Sequence, residues 1–78
     1  MTSAQVIRKF AKERFEDPET QRVAAIEFTR AFSIEGTYRE IYHVVVTHEY
    51  SQETTFEVFR VTIDDHEMIV AYTRVFMS

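Results

Sequence analysis

The chain has no cysteine, no leucine, no asparagine and no tryptophan, and only one glycine and one proline among its 78 residues. Without Cys there is no disulfide, no thiolate nucleophile and no thiolate metal site. One Gly and one Pro leave no glycine-rich phosphate loop, no flexible linker and no low-complexity tract. No apolar run approaches the ~20 residues of a membrane-spanning helix; the longest run of aliphatics is Val44-Val45-Val46. Arg8 and Lys9 sit inside an amphipathic pattern and not ahead of an apolar stretch, so no secretory signal is visible and the expected setting is the cytoplasm.

What fills the place of Leu is Val, Ile, Phe and Tyr, with 45% hydrophobic and 28% charged residues overall. That composition is globular. Its β-branched and aromatic weight, concentrated in the second half, favours a pleated surface over a helix. One domain spanning residues 1–78 is expected. Burying about 63% of the unfolded surface contributes on the order of 120 kcal/mol, against roughly 117 kcal/mol for ordering the chain. With so thin a margin, association with a second copy or a partner is the remaining source of burial.

Residues 2–16 read as a helix. Thr2-Ser3-Ala4-Gln5 has capping-box spacing, and Val6, Ile7, Phe10, Ala11 and Phe15 recur at three- and four-residue steps. Lys9 with Glu13 and Lys12 with Glu16 are spaced to pair. Pro18 disfavours helical geometry at Asp17, so the helix should stop near Glu16. Residues 20–34 fit two periods; alternation of Ala24, Ile26, Phe28, Phe32 and Ile34 favours a strand over a helix.

Glu35-Gly36 is expected to form a tight turn, and residues 37–49 a strand with Tyr38, Tyr42, Val44 and Val46 on one face and Ile41, His43 and Val45 on the other. A turn at Ser51-Gln52-Glu53 leads into a strand over 54–63. Its apolar phase shifts from Phe56 and Val58 to Phe59, Val61 and Ile63, which implies a bulge near Val58 or burial on both faces. Asp64-Asp65-His66 makes the last turn and residues 67–77 the last strand. The fold class is therefore α+β: an N-terminal helix packed on a three- or four-stranded antiparallel meander. This order resembles the topology of cystatin-like folds by analogy only, since the single Gly does not sit where the cystatin inhibitory loop places one.

Catalytic chemistry finds no constellation. His43 and His48 are five apart on one strand and face opposite ways, so they cannot share an ion. Asp64-Asp65-His66-Glu67 has ligand-type side chains, but four consecutive residues on a turn diverge, and a solvated turn is expected. His48, beside Glu49 and Tyr50 near a strand end, is expected in solvent. No Ser occupies a glycine-flanked nucleophile turn. Neither an enzyme nor a metal or other cofactor is expected.

Charge is distributed unevenly. Residues 1–16 carry a formal +2 and residues 17–78 a formal −6, a basic helix on an acidic sheet suited to a basic partner surface. Arg30, Arg60 and Arg74 fall between apolar strand residues and are expected to pair with Glu27, Glu40 or Glu57, or to lie in a protein interface. An Arg and aromatic sheet also resembles a single-strand nucleic-acid platform, but the −6 opposes phosphate and nucleic acid is not the expected partner.

The expected function is a small non-catalytic protein-interaction module, a homodimer acting through its sheet face or edge. Tyr38, Tyr42, Arg60, Tyr72, Arg74 and Phe76 are the candidate partner contacts. The alternative is a small-molecule or minor catalytic pocket between helix and sheet, lined by Phe10 and Phe15 with His43 as its polar group.

Overall fold

Thr2 caps the helix as its spacing predicts. Its hydroxyl accepts the Gln5 N–H, and the Gln5 side chain accepts the Thr2 N–H. The computed structural model, which describes residues 2–50 and 53–77, then runs α1 (Ser3–Phe15), β1 (Gln21–Ile34), β2 (Thr37–Tyr50), β3 (Glu53–Asp64) and β4 (Ile69–Met77). The expected turn at residues 51 and 52 lies outside the described residues. The strands form one antiparallel sheet in the order β1-β2-β3-β4. This is the four-stranded form of the expected meander, with α1 packed on one face.

The stretch 20–34 is a strand, and its strict alternation fails for a local reason. Bulges at Ala24 and Thr29 each insert one residue into β1, so the phase slips twice. Val23, Ile26 and Phe28 stand opposite Val46, Val44 and Tyr42 on the helix side, whereas Phe32 stands opposite Arg39 on the other side. The expectation that Ile26, Phe28 and Phe32 share one face is thereby corrected.

The phase shift in residues 54–63 resolves differently. Pairing between β2 and β3 is unbroken, so β3 itself carries no bulge there. The register slip at Val58/Phe59 comes from an extra residue, Val75, on β4. Val58 faces away from the helix while Phe59, Val61 and Ile63 face it, so β3 uses both of its faces.

Between β1 and β2, Glu35 (φ 52°) and Gly36 (φ 77°) both adopt left-handed geometry. A two-residue hairpin with positive φ at both positions matches the twist of its strands. Between β3 and β4, the Asp64 carboxylate accepts the His66 and Met68 N–H groups, each at 2.9 Å, which closes the turn as a side-chain mimic of backbone.

The core lies between α1 and the middle of the sheet. Ile7, Ala11 and Phe15 meet Val44, Val46, Val61 and Ile63 there, all buried. Phe15 stacks on Phe59 with centroids 4.3 Å apart, and Phe10 meets Tyr72 edge-on at 5.3 Å. The helix is 13 residues long, about 20 Å. Strands of 14 residues reach about 46 Å. The result is a slab of 48 × 24 × 15 Å with a radius of gyration of 13.5 Å, against roughly 11.5 Å for a compact chain of this length. Its accessible surface is 5468 Å², above the roughly 5,000 Å² that monomers of this mass expose.

Candidate protein-interaction surface

Register divides the sheet into two faces. On the helix side the rows run Val23–Val46–Glu57, Ile26–Val44–Phe59–Arg74 and Phe28–Tyr42–Val61–Tyr72. On the other side they run Ala25–Val45–Val58–Phe76, then Glu27–His43–Arg60–Thr73, then Arg30–Ile41–Thr62–Ala71. No element covers this second face among the described residues. At its centre Val45 and Val58 are half-buried, and towards one end Phe56 stacks on Phe76 with centroids 5.5 Å apart while both rings stay exposed.

The six candidate contacts do not form one patch. Arg60 and Phe76 stand on the open face and are exposed. Tyr42 belongs to the core at 7% exposure, and its hydroxyl donates to Glu40 at 3.1 Å. Burial, and then that hydrogen bond, raise the Tyr42 hydroxyl above the ordinary tyrosine range. Tyr72 packs on Phe10 and Phe15, and its hydroxyl accepts the Arg14 Nε–H at 2.8 Å. Arg74 pairs with Glu57 at 3.3 Å, as one of the expected arginine pairings. Tyr38 lies near the β1–β2 turn in the same phase as Tyr42, with Phe28 and Ile34 also exposed nearby. A side chain's neighbours in strand phase were readable in the sequence, but the side on which the helix lands was not.

The histidines also sort by face. His43 points away from the helix, between Glu27 and Arg60 in its row, so it cannot line a pocket between helix and sheet. That interior is filled by rings. His48, expected in solvent, is 8% exposed on the helix-side phase, with Nε2 2.5 Å from Glu57. Its burial has a simple cause: Glu57 on β3 holds His48 from β2 with one oxygen and Arg74 from β4 with the other. Asp64 and His66 form a turn braced by backbone donors, which hold the Asp64 carboxyl below its ordinary value. No group of three or more metal-ligating side chains comes together among the described residues.

Charges on α1 do not pair as their spacing suggests. Among the described residues, Lys9 and Lys12 make no ion pair with Glu13 or Glu16. No helix of the described residues is long and apolar enough to cross a membrane. The class that fold and surface define is an α+β domain, a single helix on a four-stranded meander with one open face. Compared with family models, curated proteins and solved structures, the chain matches none.

Proposed function

We propose that the protein is a small, non-catalytic interaction module that works as a homodimer, with the open face of its sheet packed on the same face of a second copy. The observation that carries this reading is the uncovered face itself, with Val45 and Val58 at its centre and the exposed Phe56–Phe76 stack beside them. Four strands of 14, 14, 12 and 9 residues, at about 3.3 Å per residue and about 4.8 Å apart, present on the order of 800 Å² per face, and a standard interface needs about 800 Å² per partner. The open elongated shape supports the same reading, since face-to-face packing supplies the burial that one short helix does not.

A second copy also suits the polar row. Glu27 lies at the β1 end of it and Arg60 on β3. A two-fold axis along the strands reverses the row, setting the acid of one protomer toward the base of the other. Such pairs fix register more than they add affinity. The setting proposed is the cytoplasm, where a small domain is held together without disulfides.

Sedimentation across a concentration series tests the reading. The expected result is a dimer at micromolar concentration whose unfolding temperature rises with concentration. Val58→Lys and Arg60→Glu should each yield monomers that keep the helical and sheet circular-dichroism signature. A wild-type chain that stays monomeric to roughly 100 μM overturns the homodimer, and a complex formed only with a basic protein would move the face to that partner.

A further inference from the structure

Between α1 and the edge strand β1 lies a cleft of about 390 Å³. Arg8 and Lys12 form its upper wall and residues 23–26 of β1 its floor. We infer that this cleft binds a short acidic peptide in extended conformation, added to the sheet as a fifth strand beside β1. The cleft's cations lie on the helix side of the sheet, away from the centre of the proposed dimer face.

Three observations converge there. First, Arg8 and Lys12 are exposed and form no ion pair among the described residues, although Glu13 lies on the same helix and Glu16 caps its end. Two uncompensated cations one helical turn apart select for negative charge. Second, β1 is an edge strand whose outer side is bridged by Asp17 at Gln21 and pairs with no strand beyond it. An unpaired edge supplies main-chain donors and acceptors to an incoming chain. Third, the Val23 N–H turns away from β2 and meets the Glu16 carboxylate at a long 3.5 Å. A carboxylate of the chain itself thus already occupies the edge, loosely enough to be replaced.

The floor has the shape this needs. Ala24 and Ala25 carry only methyl side chains, and the bulge at Ala24 interrupts the strand next to the cations. Val23 and Ile26 lie on the helix side with the cations and Ala25 on the opposite side, so successive residues of an incoming strand meet α1 and Ala25 in turn. Bulges at Ala24 and Thr29 leave a regular stretch of four residues between them, which limits the ligand to a short segment. An alternating peptide of acidic and β-branched residues meets these demands: carboxylates on the helix side for Arg8 and Lys12, amides for the edge, and apolar side chains beside Ala25 on the opposite side.

The test is a two-dimensional amide NMR titration of the full chain with acetyl-Glu-Val-Glu-Val-Glu-amide. The expected result is a set of shifts centred on Val23–Glu27 and on residues 8–12 of α1. Affinity should fall steeply with added salt, most of it gone by about 1 M, where charges are screened within about 3 Å. Arg8→Glu and Lys12→Glu should each weaken binding about tenfold, with self-association unchanged. A peptide of the same sequence with alternate amides N-methylated should bind at least about tenfold more weakly, because it cannot complete the ladder. Equal binding of that peptide, or of the wild-type peptide to the two charge variants, overturns the proposal. So do shifts confined to the open sheet face, or the same perturbation produced by inorganic phosphate or a single-stranded oligonucleotide.

Discussion

His48 on β2 and Glu57 on β3 stand with Nε2 and Oε1 2.5 Å apart, and both side chains are largely shielded from water. The other oxygen of Glu57 reaches Arg74 on β4, so a single carboxylate ties three strands together. Removing one member of a shielded pair leaves the other without its counter-group, which costs more than the pair contributes. Glu57→Gln should therefore destabilise the fold by about 1–3 kcal/mol, and His48→Ala by a similar amount. Arg74→Ala should cost less, since that side chain is half in solvent. Urea unfolding of the three variants checks the order, and an Arg74→Ala loss larger than that of Glu57→Gln contradicts it.

Ile63 is fully buried beneath α1, opposite Ile69 and Glu40. Ile63→Ala removes buried apolar volume and should cost about 2–4 kcal/mol. Val70→Ala, at an exposed bulge of β4, should change stability by less than about 0.5 kcal/mol. Denaturant midpoints at a single protein concentration separate the two, and equal midpoints would refute this placement of the core.

Gly36 has φ 77°, and a Cβ built on it meets nothing within 4 Å. Gly36→Ala should cost about 1 kcal/mol through backbone strain alone. Glu35 already bears that strain at φ 52°, so Glu35→Asn should stabilise by a few tenths of a kcal/mol. Thermal unfolding of both variants reads the opposite signs; a stabilising Gly36→Ala would show that the hairpin adopts another turn.

Asp64 titrates below the ordinary 3.8, chiefly because its carboxylate accepts the Met68 N–H and then the His66 N–H. A lowered value in the folded state means the stabilisation is present above the ordinary one. It is lost as pH falls through the lowered one. The amide shifts of His66 and Met68 should titrate together with a midpoint under 3.8, and Asp64→Asn should abolish that transition. A midpoint at or above 3.8 rejects the assignment.

The elements of this fold were legible because each rests on a local rule. Thr2 and Gln5 mark the helix start, Pro18 its end, and Gly36 the first hairpin. Faces were less legible. A bulge is one inserted residue with no composition of its own, so Ala24 and Thr29 slip the phase of β1 unannounced. The burial of His48 depends on Glu57, nine residues away in the sequence but on a neighbouring strand. Arg8 and Lys12 read as ordinary solvated charges until they are seen to share a cleft with residues 23–26 of the edge strand. What escaped the sequence in each case is a pairing set by tertiary register.

The mismatch between a 13-residue helix and 14-residue strands divides the slab along its length. Near the helix, amides are locked behind Ile7, Ala11 and Phe15; towards Ser33 and Tyr38 the same ladder stands in water on both sides. Deuterium should therefore enter from the hairpin tip inward, tracing a gradient of opening free energies down each long strand. One end of the molecule is an anchored hull and the other a bare mast, and a ligand that grips the mast would read as slowed exchange there long before it moved the melting temperature.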